Sequence, residues 1–266
     1  MASDGSTGAK RVSERAESNP TGRAPVAQQA SPDRTAFVPD SALTEDDALS
    51  LLKKPDLPGQ VLRHMAGNGS VLRHRKVILA LVEHRRTPRQ VSLPLVRQLY
   101  SFDLMRVALT PAVPAEVRLA ADEALSSRME TLAVGERLSL AHRGSGRIAE
   151  ALLSDPEVKV VHAALANPRL TESSIVRALA CHDASAAFVE AVGQHPQWSL
   201  RRDVRIALLR NGKIEMAQAL MFARTLLPGQ VREILEGSGL PAGLKADLLA
   251  VLERPPSGDA AGKGHP

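Results

Sequence analysis

The chain has 266 residues, 44% of them hydrophobic but only 2% aromatic, with one Trp, one Tyr and one Cys. A core of that composition is built from Leu, Ala, Val and Ile, which argues against a β-sandwich, whose strands draw on aromatic and β-branched side chains; the lone Cys181 excludes an intramolecular disulfide and a cysteine metal cluster. The net charge of +5 is gathered in one window: residues 55–106 carry nine basic and three acidic side chains, 1–54 carry seven and eight, and the remainder balances.

Residues 1–42 are rich in Ser, Ala, Pro, Gly and charge and are expected to be disordered, because so few apolar groups do not offset the entropy of ordering. The tail PPSGDAAGKGHP, 255–266, reads the same way. The N-terminus lacks the apolar core of a signal peptide, and no run of eighteen uncharged apolar residues exists, so a cytoplasmic protein without a membrane span is expected.

An α-helical repeat domain is predicted over 43–254. It opens at Thr44, whose hydroxyl suits an N-cap ahead of Glu45, Asp46 and Asp47. LPGQVLRHMAGNG at 57–69 follows and returns as LPGQVREILEGSG at 227–239, so the two ends of the domain look alike. VLRHRKVILALVEH (71–84) carries a helical apolar stripe, and TPAVPAEVRLAADEALSSRMETL (110–132) is the most helix-favourable stretch. SFDLMRVAL (101–109) makes a short apolar segment between them. From 134 onward, segments of nine to twelve residues alternate with Gly or Pro turns such as RGSG, NPRLT, QHPQW and RNG. EVKVV at 157–161 is read as helix despite its β-branching, and the last helices are predicted at 213–226, 228–236 and 241–253.

One phrase recurs three times, a Pro followed eight and nine residues later by Val-Arg: Pro88 with Val96-Arg97, Pro168 with Val176-Arg177, and Pro196 with Val204-Arg205. Pro94 should bend or delay the helix of the first copy. The three arginines are expected to form a ladder with acidic or carbonyl partners from adjacent units.

The segments DPEVKVVHAALANPRLTESSIVRALA (155–180) and QHPQWSLRRDVRIALLRN (194–211) resemble HEAT-like repeats and, more closely, the bacterial leucine-rich repeat variant, whose units carry an Asn-Pro turn and a Val-Arg helix. The resemblance spans 60–210 and implies an all-α, right-handed α-solenoid of short antiparallel helix pairs used for binding. The chain departs from the pattern in its unit spacing, since Pro168 to Pro196 is a far shorter step than Pro88 to Pro168, and it has too few cysteines for the iron–sulfur cluster found beside some variant repeats.

No catalytic constellation is legible. Cys181, His182 and Asp183 are neighbours on one helix end, where side chains diverge rather than converge, and Cys181 is read as a small buried thiol. His64, His74 and His84 are evenly spaced but lack a metal-binding spacing, so no metal or other cofactor is expected. Gly67-Asn68-Gly69 and Gly144-Ser145-Gly146 read as helix breaks rather than phosphate loops, and Trp198 as a packing residue between repeats.

These readings predict a non-catalytic protein–protein interaction scaffold or adaptor. Arg63, Arg73, Arg75, Lys76, Arg85, Arg86 and Arg89, extended by Arg97 and Arg106 and opposed only by Asp56, Glu83 and Asp103, form the candidate partner-binding patch, read as a site for an acidic protein or a nucleic-acid backbone or as a plain solvated face. The alternative function is a solenoid that binds a nucleic-acid backbone through these basic helices of 63–106. With only Tyr100 and Phe102 nearby, stacking of single strands and base extrusion have no support, nor does a glycosylase of HEAT-like type.

Overall fold

A computed structural model describes residues 43–253. The segments expected to be disordered, 1–42 and 255–266, lie outside the described residues. Over the described residues the chain is all-α, with fifteen α-helices and no strand. No helix among them is long and apolar enough to cross a membrane.

The helices fall into two alternating series. The odd-numbered helices are α1 (Glu45–Leu52), α3 (Arg75–Glu83), α5 (Ser101–Leu109), α7 (Val134–Arg143), α9 (Val158–Leu165), α11 (Ala186–Gln194), α13 (Met216–Ala223) and α15 (Ala242–Glu253). The even-numbered helices are α2 (Gly59–Gly67), α4 (Arg89–Val96), α6 (Ala115–Ser126), α8 (Gly146–Ala151), α10 (Glu172–Ala180), α12 (Arg202–Arg210) and α14 (Pro228–Glu236). Within each series α3 packs on α1 and α5, α9 on α7 and α11, α6 on α4 and α8, and α12 on α10 and α14, while the most extensive single contact, α5 on α6, is between the series. Neighbouring pairs such as α3–α4, α5–α6 and α12–α13 join the two series. Even-numbered helices start at Gly59, Arg89, Ala115, Gly146, Glu172, Arg202 and Pro228, so that a longer step is followed each time by a shorter one. Every second start then falls at a nearly constant interval, from Gly59 to Ala115 to Glu172 to Pro228, and LPGQV marks the first and last helix of this series.

Local chemistry sets the helix ends. Thr44 and Asp47 close a capping box, Thr44 Oγ1 accepting from Asp47 N at 3.3 Å while Asp47 Oδ2 accepts from Thr44 N at 3.4 Å. Ser145, Thr171 and Ser185 cap α8, α10 and α11 in the same way, each hydroxyl accepting from the amide three residues on. Pro58, Pro88 and Pro114 hold the extended entry into α2, α4 and α6. The EVKVV segment is helical as expected, entering α9 at Val158.

Three predicted helices are shorter than their patterns, the one expected over 213–226 being confined to Met216–Ala223 because Asn211 Oδ1 accepts from Lys213 N and holds the preceding turn. Over 71–84 the chain makes a 3-10 turn at Val71–Arg73, extends at His74 and only then enters α3. Asn68 Oδ1 accepts from Ser70 N at 3.0 Å, and this local side-chain bond competes with a helical start. Over 110–132, α6 is confined to Ala115–Ser126, because Pro111 and Pro114 delay its start and Ser127 Oγ donates back to Ala124 O at its end.

One continuous apolar core runs from Ala48 to Leu248, built from Leu, Val, Ala and Ile with Phe188, Phe222 and Trp198 as its large aromatic members. The turns are tied to one another by side chains that reach a backbone carbonyl in the preceding unit. His84 Nε2 donates to Lys54 O at 3.0 Å, Asn167 Nδ2 to Ala141 O at 2.7 Å, and Trp198 Nε1 to Leu165 O at 2.8 Å. On the other set of turns Arg128 Nη1 reaches Leu99 O at 2.7 Å, Asn211 Nδ2 reaches Leu179 O at 2.8 Å and Lys213 Nζ reaches Ala184 O at 2.6 Å. In His84, Asn167 and Asn211 the second polar atom accepts from the amide two residues on, so one side chain shapes its own turn and joins it to the previous one.

Where turns pass closest, the side chain is missing. A Cβ on Gly146 would stand 2.6 Å from Arg169 O, and one on Gly212 would stand 2.6 Å from Gly239 O.

Candidate interaction surface

The Val-Arg phrase does not occupy one structural position. Val96 is the last residue of α4, Val176 the fifth of α10 and Val204 the third of α12. Of the expected arginine ladder one rung is present between units: Arg177 clasps Glu150 of α8 with contacts of 2.7–2.9 Å. Arg205 Nε instead donates to Ser199 O in its own turn, at 2.6 Å, and Arg97 contributes its carbonyl as an acceptor for Arg128. What repeats is the turn and its carbonyl partner, not the phrase.

The basic window is divided by the fold. Arg85 and Arg86, in the turn from α3 to α4, converge on Asp56 at 3.6 and 3.4 Å, and Arg86 Nη1 also donates to Asp56 O. Arg89, the first residue of α4, pairs with Glu116 of α6 at 2.9 Å. Arg75 pairs with Asp103 at 2.5 Å and lies over the Tyr100 ring at 4.7 Å; the hydrogen bond to Asp103 holds its guanidinium still more firmly charged. Arg106 is bound to Glu83 at 2.6 Å. Arg63 on α2, with Arg73 and Lys76 where the chain passes from α2 into α3, is exposed and stands away from these pairs. All three acids of the window are thus engaged by its own arginines. The pairs to Asp56 and Glu116 are exposed on both sides and add little stability, whereas Asp103 and Glu83 are largely covered; in all of them the guanidinium stays accessible to a stronger anion.

Two open clefts lie between successive even-numbered helices. The larger, about 1220 Å³, separates α10 from α12 and is lined by Val176, Leu179, Ile206 and Ala207 with Glu172 and Arg210 at its polar margin. The second, about 750 Å³, lies between α4 and α6 and is lined by Arg89, Arg97, Leu119, Glu123 and Arg128.

Cys181 is exposed, contrary to the buried thiol expected from sequence. It sits past the end of α10 rather than inside it, with its Sγ donating to Arg177 O at 3.4 Å, and His182 and Asp183 beside it are exposed too. No group of three or more His, Cys, Asp or Glu residues suited to a metal occurs among the described residues. Of the three evenly spaced histidines, His84 is a buried turn former and His74 faces Glu45 at 3.1 Å. The two glycine pairs break helices, as read, and Trp198 packs between units.

A pattern that runs past the basic window becomes visible only once the turns are aligned. A histidine stands at or just before each of the turns entering α4, α8 and α12, with exposed arginines around it: His84 with Arg85, Arg86 and Arg89; His142 and Arg143, which end α7, with Arg147 in α8; and His195 with Arg201 and Arg202. These helices start at Arg89, Gly146 and Arg202, at nearly equal intervals that each span four helices, so the signal stands in the sequence at a period too long for local pattern reading. No protein-family model, curated protein or solved structure matches the chain.

Proposed function

We propose that the chain is a non-catalytic interaction scaffold of the helical-repeat type, an α-solenoid of HEAT-like or leucine-rich-repeat-variant character that holds a protein partner against its outer faces. The observation that carries this reading is repetition. Helix pairs recur at alternating longer and shorter steps, and side chains of several turns bond to the unit before, an arrangement that multiplies one surface instead of enclosing one pocket. The α10–α12 cleft supports the reading, since its apolar floor and charged margin match the anatomy of a protein interface.

The test is cross-linking of the full chain in its native cell, with Val176→Glu and Ile206→Glu compared against the unaltered protein. A partner recovered reproducibly and lost with both substitutions, while the thermal melt holds, supports the scaffold. Recovery that both variants leave unchanged places the partner elsewhere and removes the cleft from the reading.

A further inference from the structure

We infer that the turns entering α4, α8 and α12 form a duplex nucleic-acid-binding edge, a second surface of the scaffold. By count, residues 107–266 are electrically balanced. The fold undoes that balance by sorting charge between the two sets of turns. Beyond α5, turns from an odd to an even helix and their flanking residues carry Arg143, Arg147, Arg169, Arg201, Arg202 and Arg224, all exposed, against the first-turn acids Glu116, Glu172 and Asp203, and Lys53, Lys54, Arg85, Arg86 and Arg89 continue this edge toward the N-terminal end. Beyond α5, turns from an even to an odd helix hold Glu130, Asp155, Glu157, Asp183 and Glu215. The cations among them, Arg128 and Lys213, are drawn onto backbone carbonyls.

The odd-to-even turns are neighbours in space. His84 bonds to Lys54 O, Arg89 to Glu116, Asn167 to Gly144 O at 3.2 Å, Trp198 to Leu165 O and Arg202 Nη2 to Gln230 Oε1 at 3.4 Å. Of the arginines in the histidine turns, Arg85, Arg86 and Arg89 make exposed ion pairs. Arg143 and Arg201 are in no salt bridge with a described residue, and Arg147 has only the electrostatic influence of Asp122, whose carboxylate is already held by Ser145 Oγ at 2.7 Å.

Spacing points to the occupant. Packed helices lie about 8–10 Å apart, so turns two helix steps apart stand roughly 16–20 Å from each other. Along one face of B-form DNA the backbone of one strand returns once per helical turn, about 34–36 Å, with the other strand crossing in between, so the outer two of the three turns, four helix steps apart, match one full turn. Three basic turns in a row thus meet three successive backbone crossings over about one helical turn of duplex. Guanidinium groups suit this task because each offers a planar fork to phosphate oxygens. An acidic protein surface has no such fixed period, and a single strand has no second backbone to supply the alternate crossings.

The experiment measures binding of the full chain to a 20-base-pair duplex of random sequence as a function of salt. Expected are binding at low salt, a log–log slope near −5 for about six neutralised phosphates, and a footprint of roughly 10–14 base pairs. Arg143→Glu with Arg147→Glu, and separately Arg201→Glu with Arg202→Glu, should each weaken binding at least tenfold and flatten the slope by about 2. Arg73→Glu with Lys76→Glu, on the other set of turns, makes the same change in net charge and should weaken binding far less. Thermal melts check each variant, and Arg→Gln versions serve the same comparison should a reversal unfold the chain. The inference is overturned by no duplex binding at low salt, by equal losses in the control pair, or by single-stranded DNA or polyglutamate binding as tightly as duplex. Any of these leaves the protein scaffold reading in place, since that reading is tested on the α10–α12 cleft.

Discussion

Asn167 donates its side-chain amide to the carbonyl of Ala141, 2.7 Å away in the preceding unit, while its Oδ1 accepts from Arg169 N at 2.8 Å. The residue is 2% exposed, so neither Ala141 O nor Gly144 O finds a substitute partner if the amide is lost. Asn167→Ala is therefore expected to cost about 2 kcal/mol, the penalty for stranding buried polar groups. Asn167→Asp should cost more, because it keeps the acceptor for Arg169 N but sets a carboxylate against two carbonyl oxygens. Denaturant melts of the two variants check the order, and hydrogen exchange should show lost protection at Arg169 first.

Arg137 and Asp155 form the most enclosed ion pair among the described residues, 2.8 Å apart with side chains 12% and 3% exposed. Arg137 Nη1 also donates to Leu132 O, and Asp155 Oδ1 accepts from Glu157 N, so the pair joins α7 to the turn before α9. Asp155→Ala leaves a guanidinium in a site built to neutralise it and is expected to cost about 3–5 kcal/mol. Replacing both partners, Arg137→Met with Asp155→Leu, removes the stranded charge and should recover most of that loss. A double-mutant cycle measured by chemical denaturation decides it; a double variant as unstable as Asp155→Ala would contradict the account.

Two glycines give opposite expectations for the same change. Gly146→Ala drives a methyl to 2.6 Å from the backbone oxygen of Arg169, where nothing flexible can yield, and should cost roughly 1–3 kcal/mol. Gly135→Ala, in α7 with nothing within 4 Å, should stabilise by about 0.5–1 kcal/mol through helix propensity. Thermal melts of the two variants side by side test whether close approach of the turns, rather than backbone freedom, retains Gly146.

His195 Nδ1 accepts from Gln197 N at 3.2 Å and Trp198 N at 3.4 Å, and burial, reinforced by the nearby His162, lowers its pKa below the ordinary 6.5. A histidine kept neutral by folding takes up its proton more readily in the unfolded chain. The associated stability is complete above pH 6.5 and is lost as pH falls from there through the depressed folded value. Trp198, 5% exposed and the sole indole, reports on this turn. Its emission should redden on mild acidification, reversibly and before global unfolding. His195→Asn should retain an acceptor at this position and abolish the pH step.

Helix existence is largely legible in the sequence, because the 3.6-residue apolar period and the turn residues act locally. VGERLSLAHR, the first of the short segments from 134 onward, is α7 end to end, and SFDLMRVAL, read only as a short apolar segment, folds as α5. The helix starts that differ from their patterns, after His74 and at Ala115, turn on side-chain bonds and prolines that compete with the helix, which periodicity does not register. The Val-Arg phrase misleads about the repeat, since three chance alignments of common residues outweigh a structural period carried by chemically unlike residues. His84, Asn167 and Asn211 do the same job with different atoms. The candidate patch is legible only as local charge density. That Arg147 and Arg202 stand within the first two residues of their helices, as Arg89 does, follows from a spacing of four helices and from which end of each helix faces which.

That long period has a consequence for how such a chain is lengthened or cut. Removing one helix pair would bring two turns of the same kind face to face, histidine turn on histidine turn or their plainer neighbours on each other. Removing four consecutive helices restores the alternation and leaves every remaining turn beside the type it now meets. The indivisible quantum of this architecture is the four-helix block, and the basic edge grows or shrinks by one cluster with each.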